Sequence, residues 1–270
     1  MANLNEFDLS GKVAVVTGAL GLLGRQHCKA LSSAGADVIV TDLDTSECEK
    51  FAASLSSNCI GVGLDVTSKS SVSQCLTQAL SYYNGIDILV NNAAINDMVE
   101  NPSLQLESSA FENYPLELWN KVIDVNLTGT FLCSQVIGSH MASRKSGSII
   151  NIGSTYGVVA PDQSIYIDSM GNQTFYKSPS YPATKGAIIS FTRFLASYFG
   201  KSGVRVNTLS PGGVVNGQDA SFIANYSAKT LVGRMANSSE YSGALIFLSS
   251  DSSSYMTGSN LVVDGGWCAI

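Results

Sequence analysis

Histidine is almost missing from this chain, with two in 270 residues. Hydrolytic chemistry on a Ser/His/Asp relay needs a histidine among polar partners. His27 falls early in one helical stretch and His140 near the end of another, so both read as structural. Charge is scarce as well: Asp, Glu, Lys and Arg make up 13% of the chain, and the net charge is −6. Nothing neutralises phosphates over a broad face, which argues against a general nucleic-acid or anionic-membrane binder. No apolar run reaches the roughly 18 residues a membrane-spanning helix needs. The segment Met1 to Asp8 lacks the basic-then-apolar order of a secretion signal. Six cysteines (Cys28, Cys48, Cys59, Cys75, Cys133, Cys268) include no CxxC pair, and with two histidines they supply no metal-ligand spacing. They read as free, buried or half-buried thiols in a reducing cytoplasm.

What is present is an apolar share of 45%, ample for a real core. No composition break or low-complexity tract marks a linker, so one domain is expected over residues 1–270. Short apolar runs alternate with helical stretches. Strands are expected at Val13–Thr17, Asp37–Val40, Ile60–Leu64, Ile86–Val90, Ser148–Ile152, Val204–Leu209 and Leu261–Val263. Helices are expected from the glycines at 18–24 to about Ala34, then at Ser46–Leu55, Lys69–Tyr82, Leu116–Arg144, Tyr181–Tyr198 and Glu240–Leu248. Continuously apolar strands between amphipathic helices specify an α/β doubly wound fold of three layers, with about seven parallel strands and right-handed crossovers. Three long excursions, about 95–114, 155–179 and 211–237, each follow the C-terminal end of a strand, where open α/β sheets bind ligands.

Gly18, Gly21 and Gly24 stand at the junction of first strand and first helix. A diphosphate needs close backbone approach and free N–H groups at a helix N-terminus, and glycine supplies both. Asp42 ends the second strand, 18 residues after Gly24. A carboxylate there accepts both ribose hydroxyls of an adenosine and repels a 2′-phosphate, which favours NAD(H). Alternatively, Asp42 is a turn residue capping the next helix, although Asp44, Thr45 and Ser46 are better placed for that. Arg25 beside the turn favours a phosphorylated ribose, so NADP(H) stays open.

Asn91-Asn92-Ala93-Ala94, Ser154, Tyr181-Pro-Ala-Thr-Lys185 and Pro211-Gly212, in this order, resemble the short-chain dehydrogenase/reductase family of the classical type. The resemblance spans about 9–267. It implies a Rossmann fold, an NAD(P)-dependent oxidoreductase and a homotetramer or homodimer. By the same resemblance Asn126, Ser154, Tyr181 and Lys185 form the catalytic tetrad. Independently, Tyr181 and Lys185 are four apart on a helix and so share a face. An ammonium beside a phenol favours phenolate, the base an alcohol proton requires. The implied cofactor contacts are Gly18, Leu20, Gly21, Leu22, Leu23 and Gly24 in the turn. Asp42, Leu43, Asp65 and Val66 follow the second and third strands, and Asn92, Ala93 and Ala94 the fourth. Tyr181 and Lys185 join them, with Pro211, Gly212, Gly213 and Val214 after the sixth strand. Asn91 pins the fourth strand.

Three departures stand out. The spacing Gly18-x-x-Gly21-x-x-Gly24 is that of the extended branch of the family, with Leu22 where the classical pattern has glycine. Asn216 replaces the usual threonine after Pro-Gly. Ser154 and Tyr181 are 27 apart, so a segment of about 162–176 is inserted beside the substrate. That insertion, with Tyr156 to Asp162 and Ile165-Tyr166, resembles a bacterial subset of flagellin-modification and sialic-acid-like sugar pathways. It points to a small, sugar-like or sugar-nucleotide substrate, though an ordinary polar surface loop has the same composition. The expected reaction interconverts a secondary alcohol and a ketone. Transient oxidation in an epimerase or dehydratase holding tightly bound NAD, and a non-catalytic cofactor-binding scaffold, are the alternatives. Trp267, near the chain end, is a candidate anchor across a subunit interface.

Overall fold

The computed structural model describes residues 4–97 and 106–270. Seven strands form one parallel sheet, β1 (Val13–Thr17), β2 (Asp37–Asp42), β3 (Ile60–Gly63), β4 (Ile88–Asn91), β5 (Gly147–Ile152), β6 (Val204–Pro211) and β7 (Asn260–Val263). Their order is β3-β2-β1-β4-β5-β6-β7, so the chain reverses its direction of growth between β1 and β4. Between the strands lie α1 (Leu22–Ser33), α2 (Thr45–Leu55), α3 (Lys69–Tyr82), α4 (Leu106–Ser109), α5 (Leu116–Ile123), α6 (Gly129–Arg144), α7 (Ser180–Phe199), α8 (Ala220–Ser227) and α9 (Ser242–Ser249). This is the doubly wound α/β architecture that the alternating pattern implies.

Side chains alternate across a strand, so consecutive apolar residues must feed two cores. Ala14 and Val16 of β1 pack with Val38, Ile150 and Leu209 against Leu31 of α1, Phe51 of α2 and Leu245 of α9. Val13 and Val15 pack with Ile39, Leu89 and Val206 against Val72 of α3, Ile137 of α6 and Phe199 of α7. The five cysteines at 28, 48, 59, 75 and 133 are buried and free, and Cys268 is half-buried and free. Asn91 does brace its strand: its amide donates to Ser134 Oγ (3.0 Å) and Asn151 Oδ1 (2.8 Å). Asp44 caps α2 by accepting from the Glu47 N–H at 3.0 Å.

Two expectations need correction. The helix expected over Leu116–Arg144 is broken by a π-helical turn at Asp124–Thr128, where the Gly129 N–H reaches back to the Asp124 carbonyl. Asn126 sits in that turn, a residue type that competes poorly for a helix interior, and it uses its amide elsewhere. Trp267, expected at an interface, is buried within its own chain. It stacks on Tyr226 at 4.3 Å between centroids and meets Tyr156 edge-on at 6.4 Å.

The insertion folds back on itself. Ile167 pairs antiparallel with Gln173 to make a small hairpin whose turn includes Gly171 at φ +86°. Ile165 and Tyr166 at its base join Tyr226, Met235 and Trp267 in a third apolar cluster. Of the excursion at 95–114, residues 98–105 lie outside the described residues.

Candidate active site

A cavity of about 1370 Å³ opens along the C-terminal ends of the strands, at the switch point between β1 and β4. That exceeds the usual volume of a single-ligand pocket and leaves room for a dinucleotide and a second molecule. Every expected site residue lines it except Leu20 and Asn126.

The first end is made of backbone. Gly18 has φ +62°, and a Cβ there would lie 2.7 Å from the Ala93 Cα. A Cβ on Gly24 would lie 2.2 Å from the Gly18 carbonyl oxygen, whereas one on Gly21 would meet that oxygen at 3.4 Å. Gly21 precedes α1 and supplies no side-chain cap, so the first N–H groups of α1 stay available to an anion. Asn92 donates to the Thr17 and Gly18 carbonyls, each at 2.9 Å. Thr17 Oγ1 accepts from the Asn92 and Ala93 N–H groups at 3.1 and 3.0 Å. A side-chain-free cradle locked to β4 therefore fits a diphosphate.

Asp42 lines the cavity at the end of β2, accepting from the Leu20 N–H at 3.0 Å and from the Leu43 N–H at 2.8 Å. Leu20 is itself the first correction: its N–H serves Asp42 and its side chain packs into the sheet core. Arg25 is held away from the cavity. Its Nε donates to the Leu20 carbonyl at 2.9 Å and its guanidinium lies 4.9 Å over the Phe51 ring. Asp65 Oδ1 accepts from the Thr67 N–H and hydroxyl at 2.9 and 2.7 Å, which shapes the turn after β3. Gly213, after β6, donates its N–H to the Tyr226 hydroxyl at 2.6 Å, fixing the backbone of the 211–214 wall.

The second end is made of side chains. Lys185 is buried on α7, and its Nζ donates to the Ile152 carbonyl at 2.7 Å while lying 5.5 Å from the Tyr181 ring centroid. Burial pushes its pKa down to about 8. Burial raises the Tyr181 phenol above its ordinary value, and a hydrogen bond from Ser154 opposes that rise. Ser154 also receives the Tyr156 N–H at 3.2 Å, which aims it at the cavity from the end of β5.

Asn126 is the second correction. It is fully buried behind the wall: its Oδ1 accepts from the Ile95 N–H at 2.7 Å and its Nδ2 donates to the Ile95 carbonyl at 3.1 Å and Thr184 Oγ1 at 3.2 Å. The π turn delivers it there. The side chain thus clamps the segment after β4 to α7.

Sequence reasoning missed Lys177. It follows the insertion directly, is 5% exposed, and its Nζ lies 4.3 Å over the Tyr181 ring, bonded to Asn96 Oδ1. Its sequence signal was a lysine four residues before the tyrosine, but Ser180 is the first helical residue, so helical spacing does not reach it. Behind it lies buried Asp97, which accepts from the Tyr114 hydroxyl and Ser178 Oγ, both at 2.6 Å. Among the described residues no cluster of side chains is set to hold a metal, and no helix is long and apolar enough to cross a membrane.

Comparison with known proteins accords with this geometry. A family model described as enoyl-(acyl carrier protein) reductase matches residues 18–268. A 3-alpha-(or 20-beta)-hydroxysteroid dehydrogenase of Mycobacterium bovis is 34% identical, over 97% of this chain and 91% of its own. The crystal structure of a gluconate 5-dehydrogenase from Burkholderia cenocepacia, in complex with NADP and tartrate, is 28% identical. It superposes with TM-score 0.85 over 98% of each chain. A short-chain dehydrogenase from Leptospira borgpetersenii with bound NAD+ is 33% identical, with TM-score 0.84 over 99% of this chain and 96% of its own. With the switch-point cavity, the glycine cradle and the Ser154–Tyr181–Lys185 wall in one domain, this chain belongs to the short-chain dehydrogenase/reductase family and is an NAD(P)-dependent oxidoreductase.

Proposed function

We propose that the protein is an NAD-preferring dehydrogenase that interconverts a secondary alcohol and a ketone on a polar, polyol- or sugar-like substrate. The observation that carries the chemistry is the convergence of Ser154, Tyr181 and Lys185 on one wall of the cavity. Ser154 holds the substrate oxygen. Tyr181, as phenolate, takes the hydroxyl proton, and the Lys185 ammonium beside the ring stabilises that phenolate. The bound nicotinamide supplies the acceptor for the hydride that leaves the same carbon. Asn126 is a positioning residue, holding Ile95 in the cavity wall. Gly18, Gly21 and Gly24 cradle the diphosphate and the 211–214 backbone faces the nicotinamide amide.

Two observations favour NAD over NADP. Asp42 presents a carboxylate to the cavity from the end of β2, and Arg25 is tied to Leu20 and Phe51. The gluconate 5-dehydrogenase neighbour, with the polar Asp168, Thr174 and Gln218 in the cavity lining, supports a hydroxylated substrate. The reading includes a cytoplasmic homotetramer or homodimer. Phe194 and Tyr198 of α7 and Phe131 of α6 are exposed, and the rings of Phe191, Phe194 and Tyr198 stack along one helix face.

The test is net NADH formation from a panel of polyols and sugars, in the wild type and in Tyr181→Phe. Removing a proton-transfer group costs about 10²–10⁴ in rate, while NADH affinity should hold. A variant near wild-type rate sinks the assignment of Tyr181. Cofactor cycling without net NADH would instead indicate transient oxidation in an epimerase.

A further inference from the structure

Lys177 is the feature the reaction as described does not use. It lines the cavity beside Tyr181, and only 5% of it is exposed. Among the described residues its ammonium has one hydrogen-bond acceptor, the Asn96 amide oxygen, and a ring face below it. No carboxylate of the described residues is in ion-pair contact with it. Asp97, behind it, has one oxygen committed to Tyr114 and the other to Ser178. The other charged groups near that end are committed as well. Lys185 is bonded to the Ile152 carbonyl. Asp168 accepts the N–H groups of its own hairpin turn, and Asp219 caps α8. Lys121 also lines the cavity but is exposed.

We propose that Lys177 is the substrate's anion anchor, binding a carboxylate carried close to the carbinol carbon that Tyr181 and Ser154 address. This rests on the alcohol–ketone reading above and narrows its substrate class to hydroxycarboxylates. A buried ammonium with a single amide partner costs free energy, and an anion drawn from the ligand restores the missing partner. The anchor is a point charge with rotatable donors, and among the described residues no arginine lines the cavity. A phosphate dianion is usually gripped by several donors or an arginine fork, so one carboxylate suits the site better. Asn96 orients the ammonium, and the Tyr181 ring beneath it sets how far it lies from the reacting oxygen. Burial, with Asp97 opposing, pushes Lys177 down to about 7, so a bound carboxylate also holds the lysine in its charged form.

The experiment measures binding of matched pairs to NADH-saturated enzyme by calorimetry: D-gluconate against D-glucitol, and L-threonate against L-threitol. Turnover with NAD is measured on the same pairs. A charge-assisted hydrogen bond corresponds to about 10- to 100-fold in affinity. Wild type should favour each acid over its alditol by that factor. Lys177→Met should bring the two members within about threefold, while Lys177→Arg keeps most of the preference. NADH titration of both variants reports intact folding. Equal binding of acid and alditol by wild type overturns the proposal, as does an acid preference that survives Lys177→Met. Acids that bind through Lys177 but are never oxidised sustain the anchor and overturn the alcohol–ketone reading instead.

Discussion

The two ends of the cavity are built on opposite plans. The end proposed for the nucleotide is backbone and small residues, locked to the sheet by Asn92 and Thr17, with no room for a Cβ at Gly18 or Gly24. The end proposed for the substrate is side chains from the segments after β4, β5 and β6: Asn96, Lys177 and Tyr181, and Phe222. On the proposed reading, the first plan recognises what is constant in a ligand, its phosphates and ribose. The second recognises what varies. A parallel sheet provides the first at little cost because strand ends and helix N-termini converge there. The second has to be assembled from chain that leaves the sheet.

The contrast breaks most sharply at the glycines. Gly24→Ala should lower NADH affinity by two orders of magnitude or about 3 kcal/mol, because its methyl group collides with the backbone of Gly18 and Ala19. Gly21→Ala should keep most of the affinity, having one ordinary contact at 3.4 Å. Fluorescence titration of both variants compares them, and equal losses would mean the cradle is not what the glycines serve.

Next comes Asp42→Ala. Losing a charge-assisted hydrogen bond to the ribose corresponds to about 1.5–3 kcal/mol, so KM for NAD should rise about 10- to 100-fold while KM for NADP falls. No change in the NAD/NADP ratio would remove Asp42 from the ribose. Replacing the hairpin tip, residues 168–172, with two glycines should raise KM for substrate roughly tenfold, the scale of one or two lost polar contacts, with NADH affinity unchanged. Loss of NADH affinity with an unchanged substrate KM would place the hairpin on the wrong ligand.

One further effect lies outside the cavity and leaves both ligands untouched. His27 is buried on α1 with neither ring nitrogen partnered among the described residues, and burial pushes its pKa down to about 4. The unfolded chain therefore takes up a proton near pH 6.5 that the folded chain refuses. Stability should fall as pH drops from about 6.5 to about 4, by at most about 3 kcal/mol. In His27→Leu the melting temperature should lose most of this dependence in that window. A variant as acid-sensitive as wild type would assign the loss to other groups.

The regular parts of this architecture are legible in the sequence because burial imposes a period. The helix read at Lys69–Tyr82 and the strand read at Val13–Thr17 have those same limits in the structure. So are Gly18, Asp42, Ser154, Tyr181 and Lys185, all of which line the cavity. The rest depends on contacts between distant segments, which leave no local mark. The π turn slips one hydrogen bond in an otherwise ordinary helical sequence. Asn126 turns from the cavity toward Ile95, 31 residues earlier. Lys177 sits in a polar loop and becomes notable only when Asn96, 81 residues away, meets its ammonium. Trp267 has the composition of an interface anchor, yet Tyr226 and Tyr156 enclose it.

The hairpin is also bound to a distant piece of chain. Asn225 of α8 donates its amide to the Ile165 and Ile167 carbonyls at 3.2 and 3.0 Å, and Lys229 pairs with Asp162. The hairpin is therefore half of a two-part cassette whose halves are separated by some 60 residues, and on the proposed reading this cassette roofs the substrate pocket. Grafting the 162–176 hairpin alone onto another scaffold leaves Ile165 and Ile167 without their amide and Asp162 without its cation. Transplanting substrate choice between relatives requires both halves to travel together, and recombination with a crossover between them should yield folded cofactor binders that have lost their substrate.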